Sequence, residues 1–294
     1  MIDIPIWVFF GLGSAAFSAV LMLVQERVKG DGLAIAYWNK LVASALMIPF
    51  LFYFGVPTEP MFYVLLCGQA LIWVVSDVIF FNAIPKVGAG SVSRILPVSV
   101  IFTFFLWFLF DPALLGEYLE EPWRFGAIIL VLLGSVYFSM RIKKCAVSWE
   151  AVRVLWFVIV AAIIGPLAVK LVMQHTPVER APWSWVFFEG TFMLICWTLY
   201  ILIRKPIPFR SLWTPQLAKA GLMIGATSSA MVGLGVMAYF YVDNPGYIPA
   251  VKFLDTVMIL IYYRMIRHKE KGDVTAGLAI VVCAALLILL KSSL

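Results

Sequence analysis

Residues 152–173 read VRVLWFVIVAAIIGPLAVKLVM, a stretch in which only Arg153 and Lys170, one near each end, carry charge. A helix needs roughly 20 apolar residues to cross the hydrocarbon core of a bilayer, and this run is that long. The pattern recurs along the chain. Apolar runs at about 4–24, 32–54, 62–83, 89–109, 123–141, 152–173, 183–203, 216–241, 246–263 and 272–291 mark ten candidate spans. Turn-forming residues separate them: Gly30-Asp31-Gly32, Pro57 to Pro60, Pro177 to Pro182, and Asn244-Pro245-Gly246. Trp7, Trp123, Trp149, Trp183 and Trp213 fall near span ends, where indole rings favour the lipid–water interface.

Composition agrees with these runs. The 294 residues are 63% hydrophobic and 13% charged, with a mean hydropathy of +1.00, whereas a soluble domain is about 45–50% apolar and about 25% charged. Ten spans take roughly 200 residues and leave only short connectors. A soluble catalytic domain, a disordered tail, a secreted disulfide scaffold and a nucleic-acid-binding module are excluded. Cys67, Cys196 and Cys283 lie in apolar runs and Cys145 in a basic connector, so all four read as reduced thiols. The opening MIDIPIW has no basic stretch ahead of the apolar run and no small-residue cleavage site, so the first run is expected to be a retained span.

The net charge of +6 is distributed unevenly. The connectors after spans 1, 3, 5, 7 and 9 hold 15 Lys and Arg residues, and the other side only Arg124, Arg180 and Lys291. Basic residues gather in cytoplasmic loops. This reading places both termini outside the cytoplasm, in the cell (inner) membrane.

Two stretches repeat. Gly88 to Leu96 lies over Gly246 to Leu254 at an offset of 158, matching glycine, basic residue (Arg94 and Lys252) and leucine. At an offset of 149, Gln25 meets Gln174 and Lys40 meets Glu189. Five spans per half is an odd number, so the halves are inverted relative to each other, as in alternating-access carriers. The expected fold is an all-α integral membrane protein of ten transmembrane helices in two inverted five-helix repeats. Residues 1–145 form the first repeat and 146–294 the second, within one transmembrane domain.

The segment from Ala83 to Arg141 carries a family likeness. It has Ala83-Ile-Pro-Lys-Val-Gly-Ala-Gly leading into the fourth run, with Pro97 inside that run. Leu115-Gly116-Glu117 precedes the fifth run, and Gly126 and Gly134 lie within it. In these features the chain resembles the drug/metabolite transporter superfamily, specifically its EamA-like ten-helix carriers. The second half departs from the pattern: Arg267 to Gly272 has no Leu-Gly-Glu, and Ala285 answers Gly134. The orientation read from the charges also departs, since such carriers more commonly keep both termini in the cytoplasm. The resemblance implies a carrier that moves small organic solutes through a central cavity between the repeats.

Four basic residues remain inside spans, Lys40, Arg94, Lys170 and Lys252, with the acids Asp77, Glu189 and Asp255. A basic group near a helix centre costs about 2.5–3.5 kcal/mol to insert, so something must offset each of them. Lys170 lies near a span end, where its ammonium can snorkel. Arg94 and Lys252 lie deeper. They can hold an anionic group, Arg through its bidentate fork and Lys as a point charge. They can instead pair internally, Lys252 with Asp255 at i, i+3 and Arg94 with Asp77. Lys40 and Glu189, opposite in charge at matching positions, can bridge the repeats or bind a zwitterion. Asp77, Glu189 and Asp255 are the candidate proton carriers. Pro97, Pro166 and Pro249 break the backbone ladder near these charges, as at the midplane sites of carriers. Asn39, Gln69, Asn82, Ser14, Ser93 and Thr256 can add polar contacts. Gly221, Gly225, Ser229 and Gly233 make a small-residue face for close helix packing.

Other motifs fail. Gly11-Leu-Gly13-Ser-Ala-Ala16 resembles a dinucleotide loop but lies in an apolar run with no strand before it. The two histidines, His175 and His268, fall on opposite sides of the expected topology. There is no Walker loop and no His-x-x-x-His, so no cofactor, no metal and no enzymatic activity are expected.

The function expected is secondary transport of a small organic metabolite, anionic or zwitterionic, by alternating access. Arg94, Lys252, Lys40 and Glu189 would bind it. The rival readings are a flippase for a lipid or lipid-linked phosphate and a multidrug exporter. Expected partners are the substrate and the bilayer, with a homodimer compatible and no nucleic acid.

Overall fold

The helices of this protein begin and end on recognisable local chemistry. In the computed structural model, which describes residues 5–28, 31–87, 92, 95–141, 149–266 and 273–292, every regular element is helical. Helix α1 spans Ile6–Arg27 and α2 Gly32–Phe54. Asp31 caps α2, its carboxylate accepting from the amides of Leu33 and Ala34 at 2.9 and 3.2 Å, which satisfies donors a helix N-terminus leaves free. Gly55 ends α2 at φ +78, where a side chain would be strained. Helix α3 spans Pro60–Val87. Then come α4 (Val98–Trp107), α5 (Pro112–Glu120) and α6 (Pro122–Arg141). Helices α7 (Trp149–Met173), α8 (Ala181–Arg204) and α9 (Pro215–Tyr241) follow. The chain closes with α10 (Tyr247–Lys252), α11 (Leu254–Met265) and α12 (Val274–Ser292). Asp273 caps α12, and bonds from the Thr275 hydroxyl and the Thr275 and Ala276 amides hold its carboxyl below the ordinary aspartate range.

Among the described residues eight helices, α1, α2, α3, α6, α7, α8, α9 and α12, are long and apolar enough to cross a membrane. Counting α4 and α5 as one span bent by 100° makes nine. The chain is a multi-pass helical membrane protein. Two apolar runs did not become single helices. The run at 246–263 divides at Phe253 into α10 and α11. Pro249 has no amide hydrogen to give, and the Phe253 amide turns back to the Ala250 carbonyl at 3.4 Å instead of continuing the α-helical ladder. In the run at 89–109, Ser99 and Val100 bond to Leu96 and Pro97 three residues back, so α4 begins at a tight turn. Leu115-Gly116-Glu117, expected in a connector, lies inside the short helix α5.

Helix α1 packs along α9, α9 along α2, α2 along α8, α3 along α7, and α6 along α12. Glycines set two of these distances. A Cβ on Gly221 would collide with Trp38, and one on Gly225 would sit 2.6 Å from Val42 Cβ. The small-residue face of α9 is therefore a seat for α2 as far as Gly225, while Gly233 faces open space.

Polar ties close both ends of the bundle. At the end holding the start of α1, His175 Nδ1 lies 2.6 Å from Glu59, and Arg180 donates to the Val56 carbonyl at 3.1 Å. The Tyr118 and Tyr247 hydroxyls bond to each other there, and Trp7 stacks on Tyr247 with centroids 6.2 Å apart. Trp7 is thus buried at 3% exposure, not at the lipid interface, whereas Trp123 is 71% exposed. At the opposite end Arg27 bonds to Tyr262, Tyr263 donates to Glu26, and Trp38 donates to the Leu212 carbonyl.

Candidate functional site

The middle of the bundle encloses a cavity of about 290 Å³. Its charged lining is Lys40 from α2, Asp77 from α3, Glu189 from α8, and Lys252 and Asp255 from either side of the α10–α11 break. Five of the seven residues singled out for intramembrane charge therefore meet at one place. Arg94 lies outside the described residues, as do Ser93, Cys145 and His268. Lys170 lies elsewhere. Its ammonium donates to the carbonyls of Tyr239 and Phe240 at 3.2 and 3.4 Å, at the C-terminal end of α9. A helix C-terminus attracts a cation, and this offset replaces the snorkelling expected from sequence.

Lys40 and Glu189 form a tight pair. The ammonium lies 2.8 Å from Glu189 Oε2, and both residues are buried, at 8% and 4% exposure. Gly190 brings the backbones together: a Cβ there would collide with Ser44 Oγ and lie 3.4 Å from the Lys40 carbonyl. Asp77 approaches the same ammonium at 3.7 Å. One cation thus serves two carboxylates, so with both ionised this cluster keeps one negative charge in excess. Asn39 and Gln69, on the same wall, are 2% and 4% exposed. Neither amide oxygen has a hydrogen-bond partner among the described residues, a costly state for a buried polar atom.

The other charged wall is built differently. Asp255 accepts from Ser18 Oγ at 2.9 Å and from Thr256 Oγ1 at 3.1 Å. The expected Lys252–Asp255 ion pair is not closed: Asp255 is turned to its two hydroxyl donors, and the two charges act on each other only through space across Phe253. Lys252 makes no hydrogen bond or ion pair among the described residues, and it lines the cavity. The starts of α4 and α11 border the same space, through Pro97 and Ser99 on one side and Phe253 and Asp255 on the other. The expected pairing of Arg94 with Asp77 meets a competitor, since Asp77 is turned to Lys40.

Ser18 was not singled out from sequence. Its signal was present: Ser14 and Ser18 lie four apart, on one face of α1, and both line the cavity. Asn82 has a different task from the one expected, accepting from the Gly32 amide at 3.0 Å to hold the start of α2. Among the described residues no group of His, Cys, Asp and Glu is arranged to hold a metal ion.

No family model and no curated protein matches this chain. The fold is nevertheless shared with solved structures. One, described only as "Crystal structure of protein", aligns with a TM-score of 0.65 over 97% of this chain and 96% of that one, at 17% identity. At that identity the likeness speaks for the fold alone.

Proposed function

We propose that this protein is a secondary transporter that carries a small organic metabolite across the membrane by alternating access. The observation that carries this reading is the central cavity, with five ionisable side chains placed beside two helix breaks. Intramembrane charges facing a cavity lean functional, and broken helices at the midplane are how carriers expose backbone and charge to a solute. A cavity of about 290 Å³ is at the small end of metabolite pockets, which run from about 300 Å³ upward.

The ten-helix, two-repeat reading belongs to this proposal. Packing supports it. Exchanging each helix of one half for its counterpart turns the α1–α9 contact into α7–α3, and α1 against α10–α11 into α7 against α4. The α2–α8 and α6–α12 contacts map onto themselves. The two runs that broke, before α4 and at Phe253, are counterparts as well. Residues 1–145 and 146–294 then form the repeats. By the loop charges, the end with His175 and Glu59 faces away from the cytoplasm of the cell (inner) membrane. The resemblance to the drug/metabolite transporters fits this arrangement and rests on the sequence features from Ala83 to Arg141.

Within this reading Lys252 is the substrate ligand to test first. Lys40 and Glu189, expected as binding residues, act first on each other and hold α2 to α8. Asp77 and Asp255 are the acids through which a proton can couple. The test is flux through proteoliposomes loaded with a mixed pool of labelled metabolites. Wild type is expected to exchange at least one solute that Lys252→Gln, inserted to the same level, does not. Equal flux in both removes Lys252 from the site, and no flux above empty liposomes overturns the carrier reading.

A further inference from the structure

We infer that the connector between α8 and α9 is a seat for the headgroup of an anionic phospholipid, at the end of the bundle opposite His175. This seat lies outside the central cavity and does not depend on the carrier reading. From Arg204 to Lys219 the chain reads RKPIPFRSLWTPQLAK, with four cations and no acid. Arg204, Lys205, Arg210 and Lys219 are all exposed. Among the described residues none of these side chains makes a hydrogen bond or an ion pair.

The other end of the bundle treats its cations differently. Arg124 donates to the Leu290 carbonyl in the last turn of α12, and Lys170 to Tyr239 and Phe240 at the end of α9. Arg180 donates to Val56 just past α2, and Lys291 pairs with Asp243. Helix C-termini and an acid of the protein itself take up those charges. On the α8–α9 connector the charges face outward and are answered by nothing in the chain.

Exposed cations are satisfied by water alone, so it is their apolar neighbours that decide the partner. Leu202 and Ile203, just before Arg204, are exposed at the end of a helix long enough to cross the membrane, which puts Arg204 where acyl chains give way to headgroups. Lys205, at φ +50, turns the chain away from α8, and a 3₁₀ turn over Phe209–Trp213 returns it to α9. This path is held firmly. Leu212 is fully buried, Trp38 donates to its carbonyl, and the Ser211 hydroxyl donates to the Pro208 carbonyl at 2.6 Å. Phe209 and Trp213 nevertheless stay exposed, their ring centroids 6.3 Å apart, with Trp38 edge-on to Trp213 at 5.3 Å. Outward aromatic rings among basic side chains suit the headgroup layer. Arg grips a phosphate through its fork and Lys as a point charge, and a fixed connector loses little freedom when it does so.

The test is native mass spectrometry of purified full-length protein titrated with dioleoyl phosphatidylglycerol or dioleoyl phosphatidylcholine, which differ in headgroup alone. Wild type is expected to bind the anionic lipid about tenfold more tightly. Arg204→Gln, Lys205→Gln and Arg210→Gln together should cut that preference roughly fivefold. A second triple at the same end, Lys86→Gln, Arg153→Gln and Arg264→Gln, removes equal charge and should leave the preference nearly unchanged. Should the first triple fail to insert, Arg210→Gln alone is expected to lower the preference by about half. Equal affinity of wild type for the two lipids overturns the seat, and that comparison needs no variant. Equal losses in the two triples overturn it as well, because the preference then belongs to the charge of the whole end. Displacement of the anionic lipid by glycerol 3-phosphate assigns the cations to a free phosphate and overturns the lipid.

Discussion

Lys40 and Lys252 are the same residue type in two apolar helices, each near a carboxylate, and they meet opposite fates. Lys40 stands in a continuous helix pressed against α8 through Gly190, and its ammonium closes on Glu189. Lys252 ends a helical segment six residues long, and its neighbour Asp255 is bonded to Ser18 and Thr256 instead of to it. The difference lies in what each carboxylate already holds. A close helix crossing sets Glu189 against Lys40, whereas two hydroxyls take up Asp255 beside Lys252. The first arrangement ties two helices together, and the second leaves a charge facing the cavity.

The comparison is most open to attack at Lys40. Lys40→Met leaves Glu189 and Asp77 buried without their cation, and removing one partner of a buried pair costs about 3–5 kcal/mol. Unfolding in detergent should therefore occur at markedly lower temperature. An unchanged midpoint shows that the pair fixes nothing. Next is Gly190→Ala, whose added methyl meets Ser44 Oγ and the Lys40 carbonyl. Overpacking of this kind costs about 1–3 kcal/mol, and Ser44→Gly in the same chain should recover part of it. Ser18→Ala takes one of two hydroxyl donors from Asp255, for a loss of about 1–3 kcal/mol seen in the same melting assay. The smallest effect on stability belongs to Lys252→Met. No hydrogen-bond or ion-pair partner among the described residues is stranded, so the midpoint should hold or rise while flux disappears. A fall as large as that of Lys40→Met would make the two lysines equivalent and dissolve the contrast.

Much of the fold was legible as length and apolarity. The run at 32–54 is helix α2 to the residue, because Asp31 caps one end and Gly55 turns the other. The break at Phe253 was not legible in position. Pro249 announced a weak ladder, but where the chain turns depends on how α10 packs. Helix α5 was hidden because nine residues with Glu117 and Glu120 read as a connector. Trp7 misled because an indole near a span end usually lies at the interface, and here Tyr247 gives it a stacking partner. Among site residues, the matching positions of Lys40 and Glu189 brought that pair into view. The Lys252–Asp255 pairing failed because Asp255 takes its hydrogen bonds from Ser18, on another helix, and from Thr256, which spacing along one helix does not reveal.

If the chain is built of the two repeats proposed above, the Lys40–Glu189 contact also constrains its history. On the two-repeat reading, these residues occupy one position in the two halves, facing each other across the pseudo-twofold. Two identical five-helix ancestors assembled in this way would have set lysine against lysine or glutamate against glutamate. The complementary pair could therefore arise only once the halves had become distinct sequences. From then on neither half could be replaced by a second copy of the other without burying like charges face to face.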